Sequence, residues 1–333
     1  MKNPYSILCA ILLLVVMSSC DAFNSLSKTR PTDSQGESYE LVVVCQQPQW
    51  EGELGDTLRA ILTAPIPYLN QKEPLFDVLR VTERGFTKLV VNHRNILKVL
   101  VDSTVTEAAV VVQYDLTAAP QIVLTLQGPT TQSLIQYLDK HRTELVYVLE
   151  KAERDRAVNF ATKFNEKHIQ EVIGTTFDVK MKVPKGYVLA AESKDFIWAR
   201  YELPLASQGF FIYTRPYEGA ASLSEQAMLA ARNKFAARIP GPADHSYMTT
   251  ADAFPPDYRM FRMEGRVWVE MRGFWDVKGD FMGGPFVSYS TVDTATNQVF
   301  TLDCYIYSPK NHKRNYMHSV EHLLYMVNFP VVE

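Results

Sequence analysis

After the first twenty residues, no run of about 20 consecutive apolar residues occurs, so no later segment reads as a transmembrane helix. CxxC is missing too, which removes the thioredoxin-like redox signature. There is no GxSxG nucleophile elbow, Walker P-loop, GxGxxG turn or EF-hand loop. Histidine is scarce, and His93, His141, His168, His245 and His312 are scattered without metal-ligand spacing. Lys and Arg total 34 against 37 Asp and Glu, a net charge of −3. Such a balance excludes a broad basic surface for nucleic acid or anionic membrane. What remains is a chain with 47% hydrophobic residues, enough for a substantial core, and no cofactor fingerprint.

The N-terminus carries the clearest signal. Lys2 precedes the apolar run Ile7 to Met17, which is too short to span a bilayer and reads as a signal peptide. Ser18 and Ser19 then precede Cys20, an arrangement that resembles a lipobox. By that resemblance residues 1–19 are removed and Cys20 becomes the lipidated first residue, with the membrane as a partner through its lipid. Asp21 is a lone acid with no acidic cluster behind it, so the expected location is the outer membrane, facing the periplasm. Residues 20–38, with Pro31 and Gly36, read as a flexible tether. Of the four cysteines, Cys45 in "LVVVCQ" and Cys304 in "LDCYIY" then remain. Both are expected to be buried free thiols, with a disulfide as the alternative.

The mature chain reads as α+β, two α/β sandwich-like halves with mixed or antiparallel sheets joined by a long helical region. Residues 39–128 form the first unit, with strands "YELVVVCQ", "NILKVLVD", "AAVVVQYD" and "APQIVLTLQG". "WEGELGDTLRAIL" is a helix with Leu54, Leu58, Ile61 and Leu62 on one face. Residues 129–173 are the helical connector. Leu134, Ile135, Leu138, Leu145, Val146 and Leu149 make one apolar register, and Ala157, Phe160, Ala161, Phe164 and Ile169 a second. The dense charge of "EKAERDR" lies between them, and Gly174 is the expected stop. Residues 174–333 read as antiparallel strands with helices at "SLSEQAMLAARNKFAARI" and at the end.

This pattern resembles a family of Bacteroidetes envelope lipoproteins, domain of unknown function 4837. The likeness is carried by "WEGELGD", "EPLFDV", "RNKFAARIPGP", "DFMGGPFVSYSTVD" and "YIYSPKNHKRNYM" and extends over nearly all of the mature chain. The resemblance implies a compartment and an architecture but no activity. More distantly the second half is similar to PsbP-type α/β/α modules, which mostly bind partners.

Three local features bear on a site. His318-Ser-Val-Glu321-His322 matches HxxEH, in which two histidines hold zinc and the glutamate activates water. On a helical wheel Tyr316, Met317, Val320, Leu323, Leu324 and Val327 form the buried stripe, with His318 and His322 about 160° from its centre. The expectation is a solvated face and no metal. In "FRMEGRVWVEMR", period two places Arg262, Glu264, Arg266, Trp268, Glu270 and Arg272 on one strand face, opposite Phe261, Met263, Val267, Val269 and Met271. The charged face is a candidate binding surface, with a row of cross-strand ion pairs as the plainer reading. "KGDFMGGPF" presents Phe281 and Met282 near a loop tip, with Gly283 and Gly284 read as positions needing positive φ. The expected function is a lipid-anchored, non-catalytic binding or assembly module with a protein or small-ligand partner in the envelope. A lipid-anchored hydrolase is the alternative, and a deep polar pocket with converging acids, histidines or a serine would favour it. No cofactor and no nucleic acid are expected.

Overall fold

The computed structural model describes residues 32–330. The signal peptide, Cys20 and the start of the tether lie outside the described residues. The first half holds a five-stranded sheet of β1 (Glu40–Val44), β2 (Asp77–Val81), β3 (Asn95–Val101), β4 (Ala109–Tyr114) and β5 (Ile122–Gly128). Their order is β2-β1-β3-β5-β4, parallel except for the antiparallel edge strand β4. Parallel strands buried on both faces read as continuous apolar runs, which is why β1 is Leu-Val-Val-Val rather than alternating. The crossover from β1 to β2 contains α1 (Gln47–Glu51) and α2 (Glu53–Leu62). As its spacing predicts, α2 buries Leu54, Leu58, Ile61 and Leu62.

Helix α3 (Thr131–Lys163) starts where the Thr130 hydroxyl accepts the Ser133 amide at 3.1 Å. Its first register, Leu134 to Ala152, packs into the N-terminal core, and Ala157, Val158 and Ala161 pack into the C-terminal one. The two registers are therefore two cores served by one helical run, which is kinked at His141, where the backbone leaves helical geometry. Phe160 and Phe164 are exceptions, exposed and in contact with each other at 5.1 Å between centroids. Helix α4 (Lys167–Phe177) runs through Gly174, contrary to the expected stop. Asp178 ends it instead, in the left-handed conformation at φ 53°, donating its amide to Gly174.

The second half is built on an eight-stranded antiparallel sheet, beside which Lys180–Met181 pairs with Val327–Asn328 as a separate two-stranded sheet. It contains β6 (Val188–Ser193), β7 (Phe196–Glu202), β8 (Ser207–Pro216), β9 (Tyr247–Thr250), β10 (Asp257–Met263), β11 (Arg266–Lys278), β12 (Gly283–Asp293) and β13 (Gln298–Tyr307). The order is β9-β11-β12-β13-β8-β7-β6, with β10 also paired to β11. Helix α5 (Glu225–Ala236) covers one face, where Phe235 meets Phe196 and Tyr213. On the other face lie α4, the end of α3, α6 (Arg314–Glu321) and the 3-10 turn His322–Met326. Under α5, Arg232 and Asp303 are fully buried and paired at 2.9 Å, and Arg232 lies 3.5 Å over the Phe286 ring. The architecture is α+β, with a helical region between two sheet-rich halves. Cys45 and Cys304 are free buried thiols in separate cores. Among the described residues no helix is long and apolar enough to cross a membrane.

Two readings of the sequence are corrected here. Residues 257–278 are a hairpin, not one strand, and the turn Glu264-Gly265 pairs Met263 with Arg266 and Phe261 with Trp268. Phe261 and Met263 therefore share the face of Arg266, Trp268, Glu270 and Arg272, and Arg262 belongs with Val267. Gly283 and Gly284 are not positive-φ residues; that role falls to Gly279 at φ 91°. A Cβ on Gly284 would sit 2.3 Å from the Ile306 carbonyl, so close strand approach is what requires glycine there.

Candidate functional site

The site begins with how α6 is held. Glu73 lies in the loop between α2 and β2, is 2% exposed, and accepts the amides of Lys313 at 2.7 Å and Arg314 at 2.9 Å. A carboxylate there satisfies open helix N-H groups and complements the helix dipole. Arg314 donates to the Pro74 carbonyl at 3.0 Å and pairs with Asp77. The quoted motifs "EPLFDV" and "NHKRNYM", far apart in sequence, thus meet as the clasp between the halves. Helix α6 sits between them. Met317 and Val320 point into the C-terminal core, and the opposite face meets Tyr39 of the first half.

That placement overturns the solvated-face expectation for HxxEH. His318 is 7% exposed and His322 8%. The Tyr39 ring stacks on His318 at 4.0 Å and 11°, and its hydroxyl lies 3.2 Å from His322 Nε2. The wheel identified the stripe that meets the C-terminal sheet correctly. It could not show that the remaining face is covered by a residue almost 280 positions earlier.

Between the halves lies a cavity of about 510 Å³ lined by these residues and by Glu150, Arg154, Glu270, Arg272, Tyr289 and Tyr325. A chain of charge-assisted hydrogen bonds crosses it. His318 Nδ1–H donates to Glu321 at 2.8 Å, Arg272 donates to the other Glu321 oxygen, and Arg272 also reaches Glu270 at 3.4 Å. Arg259 closes the outer end on Glu270 at 2.9 Å. Burial alone would raise the Glu321 carboxyl, but Arg272 and His318 outweigh it and hold the acid well below the usual carboxylate range. Burial, reinforced by His318, pushes His322 down to about 3, so its ring is neutral at physiological pH. Glu150 shifts the other way. Burial raises it and Glu321 adds to the rise, while His318 and Arg154 oppose.

Several groups around this cavity lack partners. His318 Nε2 is buried with no hydrogen bond. Glu150 is half-buried with no ion pair among the described residues, and Arg154 lies 4.1 Å from the Tyr325 ring centroid rather than on a carboxylate. Among the described residues no three His, Cys, Asp or Glu side chains converge as a metal site. The HxxEH spacing here orders a hydrogen-bonded chain, since His318 Nδ1 is committed to Glu321.

The residues singled out in the sequence divide. Glu270 and Arg272 line the cavity. Trp268 was expected on an exposed face but is 2% exposed in the C-terminal core, against Phe329 at 6.1 Å. Arg266 also covers Phe329, at 4.0 Å. Phe281 is fully exposed at its loop tip, while Met282 packs on the core beneath α5. The structure does not gather these six into one surface. Sequence reading missed Tyr39, Glu150, Arg154 and Tyr289. The available signal was "EKAERDR", a charged break between two apolar registers of one helix, which is where α3 passes the cavity.

Residues 166–326 match the family model described as a domain of unknown function (DUF4837), and residues 34–161 match a second domain of unknown function (DUF8532). The DUF4837 resemblance is borne out for the second half, whereas "WEGELGD" and "EPLFDV" fall in the other family's match. No curated protein matches the chain. Among solved structures it is similar to LpqN, involved in cell envelope biogenesis of Mycobacterium tuberculosis, at 12% identity and a TM-score of 0.28, covering 45% of this chain and 82% of that one. It is also similar to the human StarD13 (DLC2) lipid transfer and protein localization domain, at 11% identity and a TM-score of 0.22, covering 47% and 93%. These likenesses are too distant to bear on function.

Proposed function

We propose that this chain, which carries a DUF8532 domain followed by a DUF4837 domain, is a lipid-anchored, non-catalytic binding module of the cell envelope whose small polar ligand sits in the cavity between the halves. One observation carries the reading. Glu150 and Arg154 line this cavity four residues apart on α3, yet among the described residues neither forms an ion pair. Opposite charges left open on a cavity wall are best explained by a ligand that supplies their partners. The volume lies within the range of small-ligand sites, roughly 300–1,000 Å³. No Ser, Thr or Cys lines it to act as a nucleophile.

Native mass spectrometry of the gently purified protein should show a bound small molecule. Ile66 lines the cavity, and Ile66→Trp should fill it and remove that mass without unfolding the chain. Wild-type protein with no bound mass and no melting response to small metabolites would sink the reading. The hydrolase alternative has its own support, because the cavity gathers acids and histidines, with His318 Nδ1 held by the Glu321 carboxylate. His318→Gln separates the two. Only affinity changes in a binding protein, whereas turnover disappears in an enzyme.

The anchor and the location rest on the sequence around Cys20. Cys20→Ala should leave uncleaved or soluble protein without an acyl label. Wild-type protein that is wholly soluble, with no lipid mass on its N-terminus, would reject the anchor. Outer-membrane placement facing the periplasm further requires that protease shaving of intact cells leave the protein whole.

A further inference from the structure

We infer that the ligand is a small zwitterion, an amino acid or short peptide with free ammonium and carboxylate groups. Arg154 would take the carboxylate, and Glu150 the ammonium. The inference rests on the cavity being the binding site and adds the chemical class of what fills it. Its basis is an ion pair that the sequence should form and the fold leaves open.

Glu150 and Arg154 stand four residues apart on α3, with the acid on the N-terminal side, the favourable order for a helical ion pair. One position along, Lys151 and Asp155 have the same spacing and close to 2.5 Å although both are largely exposed to solvent. Attraction is stronger in the drier cavity, so Glu150 and Arg154 have more to gain from closing. They do not pair. The Arg154 guanidinium carbon lies 4.1 Å from the Tyr325 ring centroid, and no carboxylate lies within ion-pair distance of it among the described residues.

Glu150 likewise has no cation within ion-pair distance among the described residues. His318 Nδ1 is committed to Glu321 and its Nε2 is closed off under the Tyr39 ring, so Glu150 is the acceptor left open on this wall. One guanidinium and one carboxylate on the same cavity wall, not paired with each other, match a ligand with one negative and one positive end. A phosphate would satisfy Arg154 but bring further negative charge against Glu150 and Glu321. A neutral sugar would leave both full charges on α3 uncompensated, the costly outcome in a desolvated site.

The test is a thermal-shift and calorimetric screen of the full-length chain. The probes are dipeptides with free termini, their N-acetyl and C-amide derivatives, a neutral disaccharide and inorganic phosphate. A free dipeptide should bind, and blocking either end should weaken it about tenfold or more, as expected for losing a charge-assisted contact. Glu150→Gln should erase the penalty for acetylation, and Arg154→Gln the penalty for amidation, each in protein with a cooperative melt. Should either variant fail to fold, the end-blocking series on wild-type protein decides alone. Binding indifferent to the termini overturns the inference. So does binding of disaccharide or phosphate alone, and if Ile66→Trp abolishes that binding the cavity reading survives. If no probe binds and native mass spectra show no bound mass, both fall.

Discussion

Arg232→Ala is expected to cost about 3–5 kcal/mol, because it leaves the fully buried Asp303 carboxylate without its counter-charge. In the native protein Arg232 donates to Asp303 at 2.9 Å and to Thr250 Oγ1 at 2.8 Å. Burial already pushes Asp303 up to about 6 from 3.8, even with Arg232 opposing. A raised folded-state value means the group's contribution is present below pH 3.8 and lost as pH rises through about 6. Without Arg232 the carboxyl rises further, so the deficit should be smaller at pH 5 than at pH 8. The double variant Arg232→Met with Asp303→Leu should recover most of the loss, since replacing both buried partners with apolar groups is often neutral. Urea unfolding followed by tryptophan fluorescence measures all three. A single variant within about 1 kcal/mol of wild type at pH 8 would refute the uncompensated-charge account.

Trp268→Ala is expected to be comparably damaging, about 3–5 kcal/mol, through loss of buried area and the void left behind. The indole is 2% exposed, opposite Phe261 across the hairpin and against Phe329. On an exposed binding face the same change would leave the melt untouched, so a differential scan distinguishes the two placements. Trp268→Phe should lose much less. An unchanged melting temperature for the alanine variant would contradict the packing described.

Secondary structure and the α+β class were legible because they follow from local periodicity: the β-branched run of β1, the face of α2, the registers of α3. What was not legible depended on the second partner of an element. The α6 wheel assigns Val320 to a core correctly, but a wheel has no means of showing that the other side is covered by Tyr39. Trp268 was misplaced for a related reason. A two-residue turn at Glu264-Gly265 reverses which parity faces inward, and period-two counting carried across it assigns β10 to the wrong face. The charged segment between the α3 registers was visible but ambiguous, since solvent and an inter-half cavity both suit charge. Only the missing Glu150–Arg154 contact separates those cases, and that is a three-dimensional observation.

The Glu73 clasp has a consequence for biogenesis. A carboxylate made early in translation waits some 240 residues for the amides of Lys313 and Arg314 that satisfy it. The first sheet, built mostly from neighbouring segments, can form while the rest of the chain is still being made, yet its Tyr39 face stays open until α6 arrives. Long-range closures of this kind are the slow steps of folding and the ones most exposed to misassembly. The cavity therefore comes into being only once α6 has been made. A chain lacking α6 would present an open Tyr39 surface to chaperones and proteases, marking it for clearance before the halves could close on each other.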